Sequence, residues 1–114
     1  MGNHQGCRLA ALVGDMKAGG VVFRRRAREE FDVAGDWYEH ERPGLGRQFI
    51  EEVDNLLGRL LDTPSLFPVV HRDIRRAVLR RFPYCVYFRL REGRVVILAI
   101  MHTARRPDDW QGRH

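Results

Sequence analysis

The spacing of apolar residues changes once along this chain, and that change limits the folds open to it. From Ala27 to Leu61 apolar side chains recur every three or four residues, the period of an amphipathic α-helix. From Ile74 onward they alternate with polar side chains, the period of a half-buried β-strand. Helices followed by strands indicate an α+β fold, in which a helical layer covers one face of an antiparallel sheet.

The helical half is predicted to form an antiparallel hairpin. The apolar stripe of the first helix, over about residues 25 to 41, comprises Ala27, Phe31, Ala34, Trp37 and Tyr38. We expect Trp37 and Tyr38 to be core residues, because aromatic side chains on such a stripe usually face the interior. After "ERPGLG" a second stripe begins and runs to Thr63-Pro64. Two helices joined by a short connection pack side by side.

The strand half predicts three antiparallel strands, which join one short N-terminal strand at "VVFR". The Pro-rich segment "TPSLFPVVHRD" between the helices and these strands is typical of a loop, with His71 at the surface. Pro83 separates the first two strands of the half, and the dipeptide Glu92-Gly93 supplies a tight turn before the third. The segment from Arg94 to His102 is almost continuously apolar and predicts a central strand, covered on both faces.

Positive charge is concentrated in the strands. Residues 1–70 hold 9 basic against 11 acidic side chains, whereas residues 71–114 hold 11 arginines against 4 acids. Tyr84, Val86, Phe88 and Leu90 share one face of their strand, which leaves Cys85, Tyr87, Arg89 and Arg91 on the other. We expect that second face to be an exposed basic platform for phosphates or carboxylates, of a nucleic acid or an acidic protein segment. A face kept soluble by its charge would have the same pattern.

His102 is the candidate catalytic residue. It follows Val96, Leu98 and Ile100 on one side of the last strand, where it could act as a general base. RNA cleavage would also need cations for the phosphate and an acid, and Arg81, Arg105, Arg106 and Tyr87 have suitable side chains. The alternative is a structural histidine that bonds the C-terminal tail. Glu29, Glu30, Glu51 and Glu52 look like solvated helix surface.

No metal or cofactor is expected. Cys7 and Cys85 lack metal-ligand spacing, and Cys85 lies within an apolar run as a small core residue. The length fits one domain, residues 21–114, preceded by a Gly-rich flexible extension, residues 1–20, in which Met16 is an alternative start. The apolar block Leu9 to Val13 is too short for a signal peptide, and no run is long enough to span a membrane, so we expect a cytoplasmic protein without membrane contact.

Three segments together resemble the RelE/ParE toxins of type II toxin-antitoxin modules. "AREEFDVAGDWYEHERPGLGRQFIEEVDNLL" is similar to the ParE-side helical hairpin, and "RRFPYCVYF" to the Arg-Phe-Pro-Tyr strand of that family. "AIMHTARRPDDWQGR" is similar to its closing His-x-x-Arg-x-Pro-x-x-Trp-x-x-Arg signature. The resemblance covers about residues 21 to 113 and implies the strand, helical hairpin and three-strand order predicted above.

The resemblance also implies a cognate antitoxin and leaves two targets open. ParE-like members poison DNA gyrase without being enzymes, and RelE-like members cut mRNA in the ribosomal A site. Lysines are absent from the sheet region, and Trp110 stands where a catalytic tyrosine would be expected, so we favour gyrase. The alternatives are a ribosome-dependent mRNA endonuclease, with His102, Arg81 and Arg105 catalytic, and a decayed toxin that only binds antitoxin. No small-molecule substrate is expected. The residues expected to bind target or antitoxin are Arg75, Arg76, Arg80, Arg89, Arg106 and Trp110.

Overall fold

The structure is a computed structural model and describes residues 20–113. Its elements, in chain order, are β1 (Val21–Phe23), α1 (Arg25–Glu41), α2 (Leu45–Asp62), a 3-10 turn (Pro64–Leu66), β2 (Val69–His71), β3 (Ile74–Val78), β4 (Tyr84–Arg91), β5 (Arg94–His102) and the one-turn α3 (Asp108–Gln111). The predicted extension, with Cys7, lies outside the described range apart from its last residue. Within that range no helix is long and apolar enough to cross a membrane.

The predicted α+β class is confirmed, with two differences in the sheet. The strand order is β1-β5-β4-β3-β2, with β1 parallel to β5 and the other neighbours antiparallel. The sheet is therefore mixed, because the helical hairpin carries the chain across one face between β1 and the later strands. It also has a fifth strand, because part of the predicted Pro-rich loop pairs with β3 as the short edge strand β2.

The main core lies between the helical hairpin and the sheet. Phe49 of α2 is fully buried and is the centre of an aromatic cluster, with ring centroids 5.3 to 5.9 Å from those of Phe31, Tyr38, Phe82 and Tyr84. The prediction that Tyr38 is a core residue is confirmed, but the same prediction for Trp37 is wrong, since its side chain is 56% exposed. Consecutive helical residues point about 100° apart, so Trp37 lies beside the buried stripe.

The face of the sheet away from the hairpin is also covered, which corrects the prediction of an exposed basic platform. The C-terminal segment folds back over this face, and the Trp110 ring stacks on the Tyr87 ring with centroids 4.2 Å apart. Cys85, Tyr87 and Arg89 are buried there, and only Arg91 of the predicted set is exposed. Burial raises the pKa of the Cys85 thiol, which is the small core residue the sequence predicted.

A β-bulge in β5 decides which face carries His102. Tyr87 pairs with Ala99 but Phe88 pairs with Ile97, so Leu98 is an extra residue in β5. Leu98 and Ala99 both belong to the outer apolar cluster, whereas Ile100 belongs to the core beneath the helices. The prediction that Ile100 continues the side of Val96 and Leu98 is therefore wrong, because the bulge reverses the alternation. His102 follows Ile100 to the helical side.

Alanine substitutions at two glycines of α2 should change the free energy of unfolding in opposite directions. A Cβ at Gly46 would lie 2.6 Å from the Gly35 carbonyl oxygen, where the backbones of the helices meet. The Glu39 carboxylate accepts hydrogen bonds from the Gly44 and Gly46 amides at 2.9 and 3.0 Å, so this contact cannot open freely. We expect Gly46→Ala to lower the free energy of unfolding by about 1–3 kcal/mol.

Gly58→Ala is the matched control, because nothing lies within 4 Å of a Cβ at Gly58. It should raise stability by up to about 1 kcal/mol through helix propensity alone. Urea unfolding followed by circular dichroism measures both variants. A stabilised Gly46→Ala protein would show that the two helices are not held in this close contact.

Candidate functional site

His102 lies at the mouth of a cleft between α1 and the end of β5. It pairs in register with Tyr84, and the two rings are 5.7 Å apart with their planes at 70°. The cleft has a volume of about 330 Å³, and its lining includes Arg26, Glu29, Glu30, Tyr84, His102 and Arg105. The structure therefore brings two of the three predicted catalytic residues together, since His102 and Arg105 line the same cleft.

The hydrogen bond of His102 restricts the chemistry of its ring. The backbone N–H of Ala104 donates to His102 Nδ1 at 3.0 Å. A ring nitrogen that accepts a hydrogen bond carries no proton, so in the neutral imidazole the hydrogen is on Nε2. In this geometry the Ala104 N–H engages the lone pair that the neutral imidazole of a general base would use. The alternative of a structural histidine that bonds the tail matches this contact.

Arg105 is held by the first turn of α3. Its Nε donates to Asp109 Oδ2 at 2.8 Å, four residues further on. This hydrogen bond raises the pKa of Arg105 and lowers the pKa of Asp109, so both groups stay charged at neutral pH. The Arg105 guanidinium is half exposed and already has a carboxylate partner.

Arg81 lines a different groove, formed by α2 and the loop between β3 and β4. Its Nε lies 3.5 Å from Glu52 Oε1, and its backbone N–H donates to Glu52 Oε2 at 3.2 Å. The backbone N–H of Arg80 donates to the same carboxylate. The prediction that Glu52 is solvated helix surface is wrong, because its carboxylate binds this arginine loop. Arg81 is not among the residues that line the cleft of His102.

Tyr84 is a cleft residue that the sequence analysis did not single out. Burial raises the pKa of its phenol, an effect partly offset by Arg105, so the hydroxyl remains protonated and able to donate at neutral pH. Tyr87, which was considered as the acid, lies on the opposite face of the sheet beneath Trp110. The sequence feature that could have identified Tyr84 is its position directly after Pro83, at the start of a strand.

Glu30 is a second residue whose role the sequence did not reveal. Its carboxylate accepts two hydrogen bonds from Arg113, both at 2.9 Å, and one from the Ile100 backbone N–H at 3.0 Å. The prediction of a solvated Glu30 is therefore wrong. The interaction joins α1, β5 and the C-terminal tail behind the cleft.

The residues predicted to bind target or antitoxin are dispersed. Arg76, Arg80 and Arg106 are exposed, whereas Arg75 is partly buried and donates to the Phe67 carbonyl at 2.6 Å. Arg89 is buried and pairs with Asp73 at 2.9 Å, and Trp110 is buried against Tyr87. Both were expected on an exposed surface, and neither is there. Across residues 20–113 no three His, Cys, Asp or Glu side chains are grouped to hold a metal ion.

Of the comparisons with known proteins, one identifies a family and another shows a shared fold. The sequence profile described as "ParE toxin of type II toxin-antitoxin system, parDE" matches residues 21–107. The fold is similar to a chain of the chromosomal ParDE toxin-antitoxin system from P. aeruginosa, with a TM-score of 0.65 and 20% identity over 73% of this chain and 94% of that chain. At this identity the structural likeness shows a shared fold. No curated protein matches the sequence.

Proposed function

The chain belongs to the ParE toxin family of type II toxin-antitoxin systems, and we propose that it inhibits growth by binding DNA gyrase and not by cutting RNA. The hydrogen bond from Ala104 to His102 Nδ1 carries this proposal, because it engages the lone pair that a general base would need. Arg81, the second cation of the nuclease hypothesis, lines another groove and is paired with Glu52. A toxin that acts by binding requires neither group to be free. Because gyrase is a cytoplasmic enzyme, this proposal implies that the toxin acts in the cytoplasm.

Toxicity should survive the loss of His102. We expect His102→Ala and His102→Gln to block growth as strongly as the unsubstituted chain when expressed without antitoxin. The measurement combines nucleoid morphology and DNA breaks with primer-extension mapping of mRNA ends in the same cells. Filamentous cells with broken DNA and intact messages are the expected result for all three proteins.

Codon-phased mRNA cuts that disappear in a folded His102→Gln protein would contradict the gyrase proposal and favour the ribosome-dependent endonuclease. Normal growth on expression of the soluble, unsubstituted chain would favour a decayed toxin that only binds antitoxin. Circular dichroism of each purified variant shows whether a loss of toxicity reflects unfolding.

We also propose that a cognate antitoxin neutralises this toxin. Exposed apolar side chains on α1 form a surface on which the antitoxin could dock. Val33 and Trp37 lie one helical turn apart and are 68% and 56% exposed. Val33 also lines the cleft of His102, so an apolar partner on α1 would cover that cleft's rim. The exposed Arg76, Arg80 and Arg106 lie on other elements, where an acidic segment of the partner that extends beyond α1 would meet their positive charge.

Trp37→Glu should weaken binding of the antitoxin encoded beside the toxin gene by about tenfold or more, because exposed tryptophans are frequent hot spots of interfaces. Isothermal titration of the two purified proteins measures the affinity. Leu66→Glu is the control, since Leu66 is also apolar and 76% exposed but precedes the edge strand β2. If only Leu66→Glu weakens the complex, the antitoxin docks at the sheet edge and not on α1.

A further inference from the structure

We propose that a second cleft, on the outer face of the sheet, binds a phosphate group. It lies between the β2–β3 turn, the end of β4 and the C-terminal tail, and has a volume of about 540 Å³. The charged groups and imidazole that line it are His71, Arg72, Asp73, Arg89, Arg91 and Arg113. This cleft lies on the sheet face opposite the cleft of His102, so the proposal is independent of how the toxin acts on its target.

The cleft has a net positive charge. Four arginines line it, and Asp73 is the one carboxylate among its lining residues. Asp73 pairs with Arg89, which leaves Arg72, Arg91 and Arg113 to be balanced from elsewhere. Arg113 is balanced by Glu30, which is not a lining residue of this cleft. Guanidinium groups gathered around one concave site favour an anion with several oxygens.

Two of the arginines are fixed in place before any ligand arrives. The side chains of Arg89 and Arg113 are only 8% and 9% exposed. Asp73 holds one Nη of Arg89, and Glu30 and the Leu98 carbonyl hold both Nη atoms of Arg113. Side chains held this way lose little conformational freedom when they bind, so a ligand meets preorganised donors.

Each of these two arginines also has an Nε–H group without a hydrogen-bond acceptor. The Nε atoms of Arg89 and Arg113 are buried, and neither has a hydrogen-bond acceptor among residues 20–113. A buried N–H without an acceptor is unfavourable, and buried polar groups in proteins are normally paired. These two Nε atoms are closed to solvent, so the donors that an anion entering the cleft meets first are the exposed guanidinium groups of Arg72 and Arg91.

The lining favours phosphate over an acidic protein segment. The remaining lining residues are Gln111 and Gly112, so no large apolar side chain is available on the cleft wall. An acidic amphipathic helix would find nothing there to cover its apolar face. A phosphate needs only charge and N–H donors. The same group could come from a free nucleotide or from the backbone of a nucleic acid.

Pyrophosphate is the first probe, titrated into the purified full-length chain by isothermal calorimetry. Arg91→Gln removes an exposed guanidinium from the cleft and should weaken binding roughly fivefold or more. Asp73→Asn keeps an oxygen that can accept from the Arg89 Nη but removes a half-exposed negative charge from the cleft, so it should tighten binding roughly two- to fivefold. Arg47→Gln, which removes an exposed charge from α2, outside the cleft, should leave the affinity unchanged.

A labelled short DNA duplex, added with and without pyrophosphate, then identifies the source of the phosphate. Displacement of the duplex by pyrophosphate, lost in Arg91→Gln, points to a nucleic-acid backbone. Pyrophosphate binding without duplex binding points to a free nucleotide, and both results support the site. Equal weakening by Arg91→Gln and Arg47→Gln would overturn it, as would the absence of saturable binding. Displacement of bound ligand by polyglutamate but not by inorganic phosphate would assign the cleft to carboxylates instead.

Discussion

Replacing Trp110 with alanine should lower the free energy of unfolding by about 3–5 kcal/mol, the range expected for a buried tryptophan. The indole is 5% exposed and stacks on Tyr87, and it also contacts the ring of His71 edge-on with centroids 6.0 Å apart. α3 is a single helical turn, too short to be stable without this packing. Loss of the indole should therefore release the tail and expose the outer apolar cluster, which includes Leu98 and Met101.

Trp37→Ala is the matched control, because it removes the same side chain from an exposed position. We expect it to change stability by no more than about 1 kcal/mol. Guanidinium unfolding monitored by far-ultraviolet circular dichroism avoids the change in tryptophan fluorescence that both substitutions cause. A Trp110→Ala protein as stable as Trp37→Ala would mean that the tail does not cover the sheet in solution.

Trp37 and Trp110 show which features of side-chain burial a sequence pattern cannot predict. The period of α1 correctly predicted the helix and its buried stripe, but Trp37 and Tyr38 are neighbours, and a stripe cannot say which of two adjacent aromatics is central. Trp110 was predicted to bind target or antitoxin. Its burial depends on a contact with Tyr87, in another element, and no local period reports that contact.

The sheet shows the same division between local and long-range information. The turn at Glu92-Gly93 and the central position of β5 were predictable, because turn residues and continuous apolar runs are local signals. The bulge at Leu98 was not, since a strand that is apolar on both faces contains no polar residue to mark its alternation. Because that bulge turns His102 toward α1, the sequence could place the histidine at the strand end but not on its face.

The ion pair between Glu30 and Arg113 supplies hydrogen-bond partners to the part of the β5 edge that β1 does not reach. β1 pairs with β5 only as far as Ile97, so the next backbone groups on that edge have no strand partner. Glu30 accepts from the Ile100 N–H, and Arg113 donates to the Leu98 carbonyl at 3.2 Å. Backbone groups at a covered sheet edge must find side-chain partners, and these two charged residues supply them.

Glu30→Gln should therefore lower the free energy of unfolding by about 2–4 kcal/mol, because it leaves the nearly buried Arg113 without its charge partner. The amide can still accept from the Ile100 N–H, so the loss reports mainly the ion pair. Glu29→Gln removes the same charge from the neighbouring, exposed position and should stay within about 0.5 kcal/mol of the unsubstituted protein.

A double-mutant cycle with Arg113→Gln separates this pair from the general charge of α1. We expect a coupling energy of about 1–3 kcal/mol from denaturant unfolding of the four proteins. Since Arg113 also lines the proposed phosphate cleft, Glu30→Gln should leave an unpaired guanidinium there, and phosphate should then stabilise this variant more than it stabilises Glu29→Gln. Additive effects of the two substitutions would show that the tail is not held by Glu30, and the sheet edge would then need another partner.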